Sequence, residues 1–412
     1  FANPHHEYQN SDDFAVTHLV ETIRGCTHSV VKNIVIGAPP KANFSATGFC
    51  QGDDVRFSDL STVDNGAVVR WEWDFGDGNT GDLRNPSHFY SDNGRFPVML
   101  KVYSNLQCAD SLEKEIIKFS QISATSLPYS DSFDGSMPEW MINGENPSWR
   151  SNTPDGLRVP AHDGAAWITQ NADTTYNHLE NSYVESPCFD LTTLDRPVVN
   201  LDLFRDLETD VDGAVLQMTF DDGESWYVVG DDASGANWFN SKGLPSNPGM
   251  QNTGINYGWT STAEEWIAAK YALDTYVDTI SAQSRVRFRV ALGSNLTNPG
   301  NAKFGGFAFD NFHIGSRNRR VLLEHFTNSN ATGYATSISA LSGFVQNKDE
   351  ELIHLVYHNS YPVADDIFSF NPEDLETRSF YYGVSEGPAN VMDGYLNPQP
   401  FDQWGLTYYN NE

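Results

Sequence analysis

The chain repeats itself. Asn3-Pro4-His5-His6-Glu7-Tyr8 returns 82 positions later as Asn85-Pro86-Ser87-His88-Phe89-Tyr90. The same shift carries Phe14 onto Phe96, Val16 onto Val98, Val20 onto Val102, Cys26 onto Cys108, Lys32 onto Lys114 and Ile34 onto Ile116. One register kept this long means that two copies of a single folding unit follow one another. Residues 1–37 are read as the back half of a unit whose complete copy covers 39–119, so the sequence opens in the middle of a repeat.

The complete copy is all-β by its pattern. Arg70-Trp71-Glu72-Trp73 and Phe96, Val98, Leu100 and Val102 alternate at period two, which is the signature of a half-buried strand. Between them Asp74-Phe75-Gly76-Asp77-Gly78-Asn79 is dense in turn residues, with glycines free to take positive φ. Short strands with such turns predict an antiparallel sandwich. At 412 residues the chain needs further domains. Lys and Arg total 25 against 55 Asp and Glu, a formal charge of −30. That field repels phosphate backbones, so nucleic acid is excluded as a partner. No apolar run reaches the length of a membrane-spanning helix.

Trp73-Asp74-Phe75-Gly76-Asp77-Gly78, then Asn85-Pro86…His88…Tyr90, then Gly94…Phe96…Val98…Leu100…Val102 resemble a PKD domain. The resemblance implies an immunoglobulin-like extracellular β-sandwich. Asp74 and Asp77 could ligate a cation, although the turn itself offers Asp74 backbone N–H groups to cap, and capping is the favoured reading. In such sandwiches an early cysteine can reach one beyond the penultimate strand. The resemblance therefore implies a Cys50–Cys108 disulfide, with Cys26 pairing to a residue before Phe1, in an oxidising compartment. It assigns Cys188 no partner.

From 125 to 316 the texture changes while staying β. Val199, Leu201 and Leu203 alternate, as do Val286, Phe288 and Val290, and the only stretch with a helical spacing is Ala263 to Tyr271. The order Asp131-Ser132-Phe133-Asp134-Gly135…Pro138-Glu139-Trp140, Ser186-Pro187-Cys188-Phe189-Asp190-Leu191, Asp221-Asp222-Gly223-Glu224-Ser225-Trp226 and Phe307-Ala308-Phe309-Asp310-Asn311 resembles MAM-like and carbohydrate-module-like jelly rolls. The resemblance implies that Asp134 in the first strand and Asp310 in the last share a structural Ca²⁺, a hard cation that takes oxygen ligands at flexible geometry. The alternative, two aspartates ending strands in solvated turns, stays open. Trp238, Tyr257, Trp259 and Trp266 sit in a Gly/Asn-rich insertion, residues 235–266. They either form sugar-stacking or assembly surfaces or pin the loop to its own sandwich, and a loop this long favours pinning.

After the basic linker Arg317-Asn318-Arg319-Arg320 the class changes again. Val321 to Thr327 and Leu352 to Tyr357 read as buried strands, Thr336 to Val345 and Pro372 to Tyr381 as helices, and Gly387 to Gly394 as a strand entered through Pro388. This order means an α/β unit. It resembles the thioredoxin-like fold, with Pro388 at the cis-proline position, over residues 321–412, an incomplete domain. Asn328-Ser329-Asn330-Ala331-Thr332-Gly333-Tyr334 stands where a redox member carries Cys-x-x-Cys, and no cysteine follows Cys188, which excludes thiol–disulfide chemistry here. His325, His354 and His358 are read as hydrogen-bonded fillers.

The expected fold is thus mostly β: PKD sandwiches, a jelly roll, then a partial thioredoxin-like unit. The combination resembles large modular surface proteins that Bacteroidota export through type IX secretion. It implies a non-catalytic segment of an extracellular adhesin or appendage, homo-oligomeric, with a cell-surface or glycan ligand. The alternative is an accessory region of a secreted hydrolase whose catalytic domain lies elsewhere.

Overall fold

The computed structural model describes residues 4–397 apart from 136–138, 155–157, 172–174, 253, 264, 277–278, 280–283, 297–303, 318–319, 331–338, 340, 344, 347–351, 361–362 and 386–387. The chain divides into two units, Phe1–Ser316 and Arg317–Glu412.

The first unit opens with a two-stranded ribbon, β1 (Asp13–Glu21) and β2 (Thr27–Val35). A sandwich follows from β3 (Phe44–Thr47), β4 (Val55–Asp59), β5 (Val68–Asp74), β6 (Thr80–Gly81), β7 (Ser87–His88), β8 (Gly94–Ser104) and β9 (Ala109–Lys118). Its sheets run β3-β4-β7 and β6-β5-β8-β9. Strand β1 pairs β2 with Val16 opposite Lys32, and β8 pairs β9 with Val98 opposite Lys114. The 82-residue shift superposes these two registers residue for residue, so the repeat seen in the sequence is a repeat of strand pairing. In the complete copy Val98, Leu100 and Val102 are buried against Phe44, Phe57, Trp73 and Tyr90. In the ribbon the matching face is exposed, Val16 and Val20 included.

The turn after β5 is built by its own side chains. The Gly76 N–H donates to Asp74 Oδ1 (3.0 Å) and the Asn79 N–H to Asp77 Oδ1 (3.0 Å). Gly76 has φ of 77° and lies against Pro97, whose carbonyl oxygen would be 2.7 Å from any Cβ there. Only glycine meets both conditions.

The second sandwich is entered through β10 (Gln121–Ile122). It comprises β11 (Tyr129–Asp131), β12 (Met141–Glu145), β13 (Trp149–Asn152), β14 (Ala166–Thr169), β15 (Asn181–Glu185), β16 (Cys188–Phe189), β17 (Pro197–Asp206), β18 (Gly213–Thr219), β19 (Tyr227–Val228), β20 (Ile267–Ala272), β21 (Arg287–Gly293) and β22 (Gly306–Ser316). One sheet runs β13-β14-β22-β17-β20 with β11 also on β22, and the other β12-β15-β21-β18-β19. Between them lies one aromatic-rich core that includes Trp140, Trp149, Trp167, Phe288, Phe307, Phe309 and Phe312. The helical spacing at Ala263 to Tyr271 is overruled: β20 is a strand paired with β17 from Leu203↔Ile267 to Val198↔Ala272. Buried Ala269 and Tyr271 alternate there with exposed Ala268 and Lys270; the available partner strand decides, as it does where local preference is weak.

The second unit carries β23 (Val321–Thr327), β24 (Leu352–His358), the helix α1 (Pro372–Tyr382), β25 (Ala389–Met392) and β26 (Tyr395–Asn397). The sheet order is β24-β23-β25-β26; β24 is parallel to β23, while β25 and β26 are antiparallel. Pro372 starts α1 and Gly383, at φ 66°, ends it. The helix is tied to the sheet by Arg378, whose guanidinium donates to both oxygens of buried Glu324 (2.6 and 3.0 Å). The helix expected over Thr336 to Val345 and the Gly387–Pro388 bond lie partly outside the described residues; 341–343 and 345–346 are helical.

Candidate functional site

The cysteine geometry corrects the expected disulfide. Cys50 is bonded to Cys188, with 5.8 Å between the Cα atoms, while Cys26 and Cys108 are free. Cys50 bridges Phe119, just past the end of β9, whereas Cys108 sits in the turn before β9 begins. A 10-residue strand separates the two ends, roughly 30 Å at the usual rise, far beyond a disulfide's reach. The bond therefore crosses from the first sandwich to the second. Around it the Cys188 N–H donates to Ser120 O (2.9 Å) and β10 pairs in parallel with β16. Arg285 donates to both oxygens of Asp53 (2.7 and 3.0 Å), and the Gly48 N–H to Asp222 Oδ2 (2.9 Å). Buried Lys118 caps Gly48 O and Asp53 O.

A group of acids and one histidine gathers where the first and last strands of the second sandwich meet. A register shift in β17 between Asn200 and Asp202 sets Asp202 opposite Asp310 of β22. Asp310 is fully buried; its Oδ1 accepts the Asn311 N–H (2.6 Å), and its Oδ2 has no hydrogen-bond partner. The His162 Nε2 lies 3.6 Å from that oxygen and 3.3 Å from Asp202 Oδ2, with its ring stacked on Trp266 at 4.2 Å. Burial pushes the Asp310 carboxyl up to about 7, the Asn311 N–H opposes this, and the charges of Asp134, Asp202 and Asp131 push it further. Asp134 accepts the Ala165 N–H (2.7 Å) and the Ser132 hydroxyl (2.9 Å), and these bonds hold its carboxyl below the usual range. Gly164 makes room for it, because a Cβ there would sit 1.7 Å from Asp134 Oδ1.

Asp134 and Asp310 are therefore in one charge cluster, joined by Asp131, Asp202 and His162, which the sequence reading missed. Among the described residues no three His, Cys, Asp or Glu side chains form a ready metal cage. A hard cation here would have to complete its shell with backbone carbonyls and water. The orphaned, buried Asp310 Oδ2 fits such an ion.

The aromatic insertion packs onto its own sandwich. Trp238 and Trp259 are buried, their rings 5.1 Å apart, and their indole N–H groups donate to Val229 O (2.7 Å) and Asn237 O (3.2 Å). Tyr257 is half-buried, its N–H held by Gln251 Oε1. Trp266 donates to Pro160 O (2.9 Å) and carries His162. Rings whose faces and N–H groups are committed this way offer no stacking platform.

In the second unit, Ser329, just after β23, joins a polar knot with Asp365 and His358. Asp365 Oδ2 accepts the Ser329 hydroxyl (3.1 Å) and N–H and faces His358 Nδ1 (3.0 Å). Burial alone would raise the Asp365 carboxyl, but these bonds and the Ile367 N–H win and hold it at about 2. Its ionised form is thus favoured by folding. Asp365 should contribute about 2.5 kcal/mol of stability above the unfolded carboxylate range, lost as pH falls from about 4 through about 2. Acid unfolding of Asp365→Asn against the natural chain checks this: the gap should close by about pH 2, and a pH-independent gap would reject it.

Comparison with known proteins supports the first sandwich most directly. Residues 37–117 match the family model of the PKD domain. The collagenase ColA of Bacillus cereus is 32% identical over 80 residues, 19% of this chain and 8% of the collagenase. The chain thus spans less than a tenth of that curated relative. The PKD1 domain of the Vibrio cholerae metalloprotease PrtV is 27% identical, covering 19% of this chain and 96% of that domain at a TM-score of 0.18. The K1 cleaved adhesin domain of Lys-gingipain from Porphyromonas gingivalis is 11% identical, covering 46% and 98% at 0.28. The chain is mostly β, with a PKD domain and a second β-sandwich. Among the described residues no helix is long and apolar enough to cross a membrane.

Proposed function

We propose that this chain is a non-catalytic, extracellular binding region of a secreted hydrolase, in which a PKD domain is fixed to a ligand-presenting β-sandwich. The observation that carries the reading is the Cys50–Cys188 disulfide, a bond that persists in oxidising compartments and here joins two domains rather than closing one. The likeness to a collagenase favours an accessory role over an adhesin. Non-reducing peptide mapping of protein recovered from the medium, with peptidase and glycanase assays, tests the reading. A free Cys188 thiol, or turnover by the purified chain, would reject it.

The second unit belongs in this proposal as a thioredoxin-like domain without redox chemistry. The order of its strands, second-first-third-fourth with the first two parallel, supports that reading.

Calcium belongs in it too, held by Asp310 and Asp134 and serving the fold rather than a reaction. A saturating cation at about 100 times its dissociation constant adds about 2.7 kcal/mol to the folded state. Melting of the first unit should therefore rise by roughly 3–5 °C on adding calcium. Asp310→Asn should abolish the rise while costing little without metal, because burial already disfavours the charged form of this carboxyl. An unchanged melting point in calcium, or a rise that survives Asp310→Asn, would leave the ion without a site.

A further inference from the structure

The outer face of the β12-β15-β21-β18-β19 sheet carries charged and aromatic side chains that neither the disulfide nor the acidic cluster uses. Phe288 and Val290 of β21 point into the core, so Arg287 and Arg289 stand on the other face. Arg289 lies between two rings, 4.1 Å from the Trp226 centroid and 4.4 Å from that of Tyr183. It is anchored by bonds to Gln217 Oε1 (2.8 Å) and Gly249 O (2.9 Å). Arg287 donates to Glu185 Oε2 (2.7 Å) and Asp222 O (2.6 Å) and lies 4.1 Å over Phe119. Both guanidinium groups are committed, and they hold Trp226 and Tyr183 in fixed, half-buried positions.

Beside these rings a cavity of about 190 Å³ opens. Asn143, Tyr183 and Trp226 line it from the second sandwich, and Phe49, Glu115 and Phe119 from the PKD domain. Its cation is committed, Arg287 to Glu185, while Glu115 faces Arg95 and Asp222 accepts the Gly48 N–H (2.9 Å). An anionic ligand finds no free cation here, and the carboxylates can accept hydrogen bonds from hydroxyls. Aromatic faces next to an exposed amide and carboxylate suit a neutral ring that bears C–H on its faces and hydroxyls on its rim. The volume is below the roughly 300–1,000 Å³ of larger-ligand sites and equals the space of about six waters, which admits one ring.

We propose that this cleft is a composite site for the terminal unit of a neutral saccharide, with the PKD domain as its end wall. It rests on the binding role proposed above and adds the ligand class and the reason for end selectivity. The wall at Phe49 and Phe119 blocks a chain from running through, so only an end can enter. The disulfide keeps that wall in place.

Calorimetry on the whole chain with di- and hexasaccharides of glucose, xylose, mannose, galactose and N-acetylglucosamine tests it. One series should bind, with molar affinities of the two lengths agreeing within about twofold, because only the terminal unit is held. Trp226→Ala should weaken binding by about tenfold or more. Asn143→Ala, at an exposed position whose side chain accepts only the neighbouring Gly144 N–H (2.8 Å), should weaken it severalfold. Absence of binding by every series overturns the ligand class. A hexasaccharide bound about ten times more tightly than its disaccharide overturns the end wall, and binding untouched by both variants overturns the location. None of these outcomes alters the disulfide mapping or the turnover assays, so failure here is separable from failure of the accessory-region reading.

Discussion

Cys188→Ser is expected to destabilise the first unit by about 5 kcal/mol, the chain-entropy value for a loop of this size. The bonded cysteines are 138 residues apart, and cross-linking them restricts the unfolded chain across most of the first sandwich and the opening strands of the second. The transition of the first unit should broaden or split in two, because the contacts left between the sandwiches are few: a short parallel pairing, the Gly48–Asp222 hydrogen bond, Arg287 over Phe119 and a part-exposed ion pair between Arg285 and Asp53, and exposed pairs contribute little. Calorimetry without reductant reads both effects. Cys108→Ser is the control and should be silent, since that thiol is free. If Cys188→Ser melts like the natural chain and Cys108→Ser does not, the bond has been assigned to the wrong partner.

Glu185→Ala is expected to cost 3–5 kcal/mol, roughly the price of leaving an ionised partner buried and unpaired. Glu185 and Arg287 are both nearly inaccessible and meet at 2.7 Å. Burial raises the Glu185 carboxyl against the pull of Arg287 and lowers Arg287 against the pull of Glu185. Desolvation therefore exceeds attraction at each partner, and the pair as a whole is no net source of stability. Replacing both, Glu185→Gln with Arg287→Met, should recover most of the loss. Denaturant unfolding of the single and double variants measures this, and a double variant as unstable as Glu185→Ala would contradict it.

What the sequence disclosed follows from how local each feature is. The paired register of β1–β2 and β8–β9 was legible because strand alternation and a fixed shift are properties of neighbouring residues. The α/β order of the second unit was legible for the same reason. Asp134 and Asp310 were legible only through resemblance, whereas Asp202 and His162 reach the same cluster through a bulge and a loop that leave no periodic mark. The disulfide was misread because a cysteine's partner depends on which end of a strand it occupies in space. Arg287 and Arg289 did carry a signal: two arginines in the opposite phase to Phe288 and Val290, in a chain poor in basic residues. The helical spacing before β20 misled because alanine and lysine tolerate either structure until a partner strand is present.

The bond between Cys50 and Cys188 also determines how the chain bears load. Tension applied along the backbone passes at Cys50 directly to Cys188 and leaves residues 51–187 slack. Those residues would otherwise release roughly 450–500 Å of extended chain on unfolding. With the bond intact, β4 to β9 of the PKD domain and β11 to β15 of the second sandwich carry no tension of their own, the Asp134 loop with them, and are disturbed only through the partner strands β3, β21 and β22 outside the loop. Reduction turns an inextensible joint into the longest extensible segment of the unit.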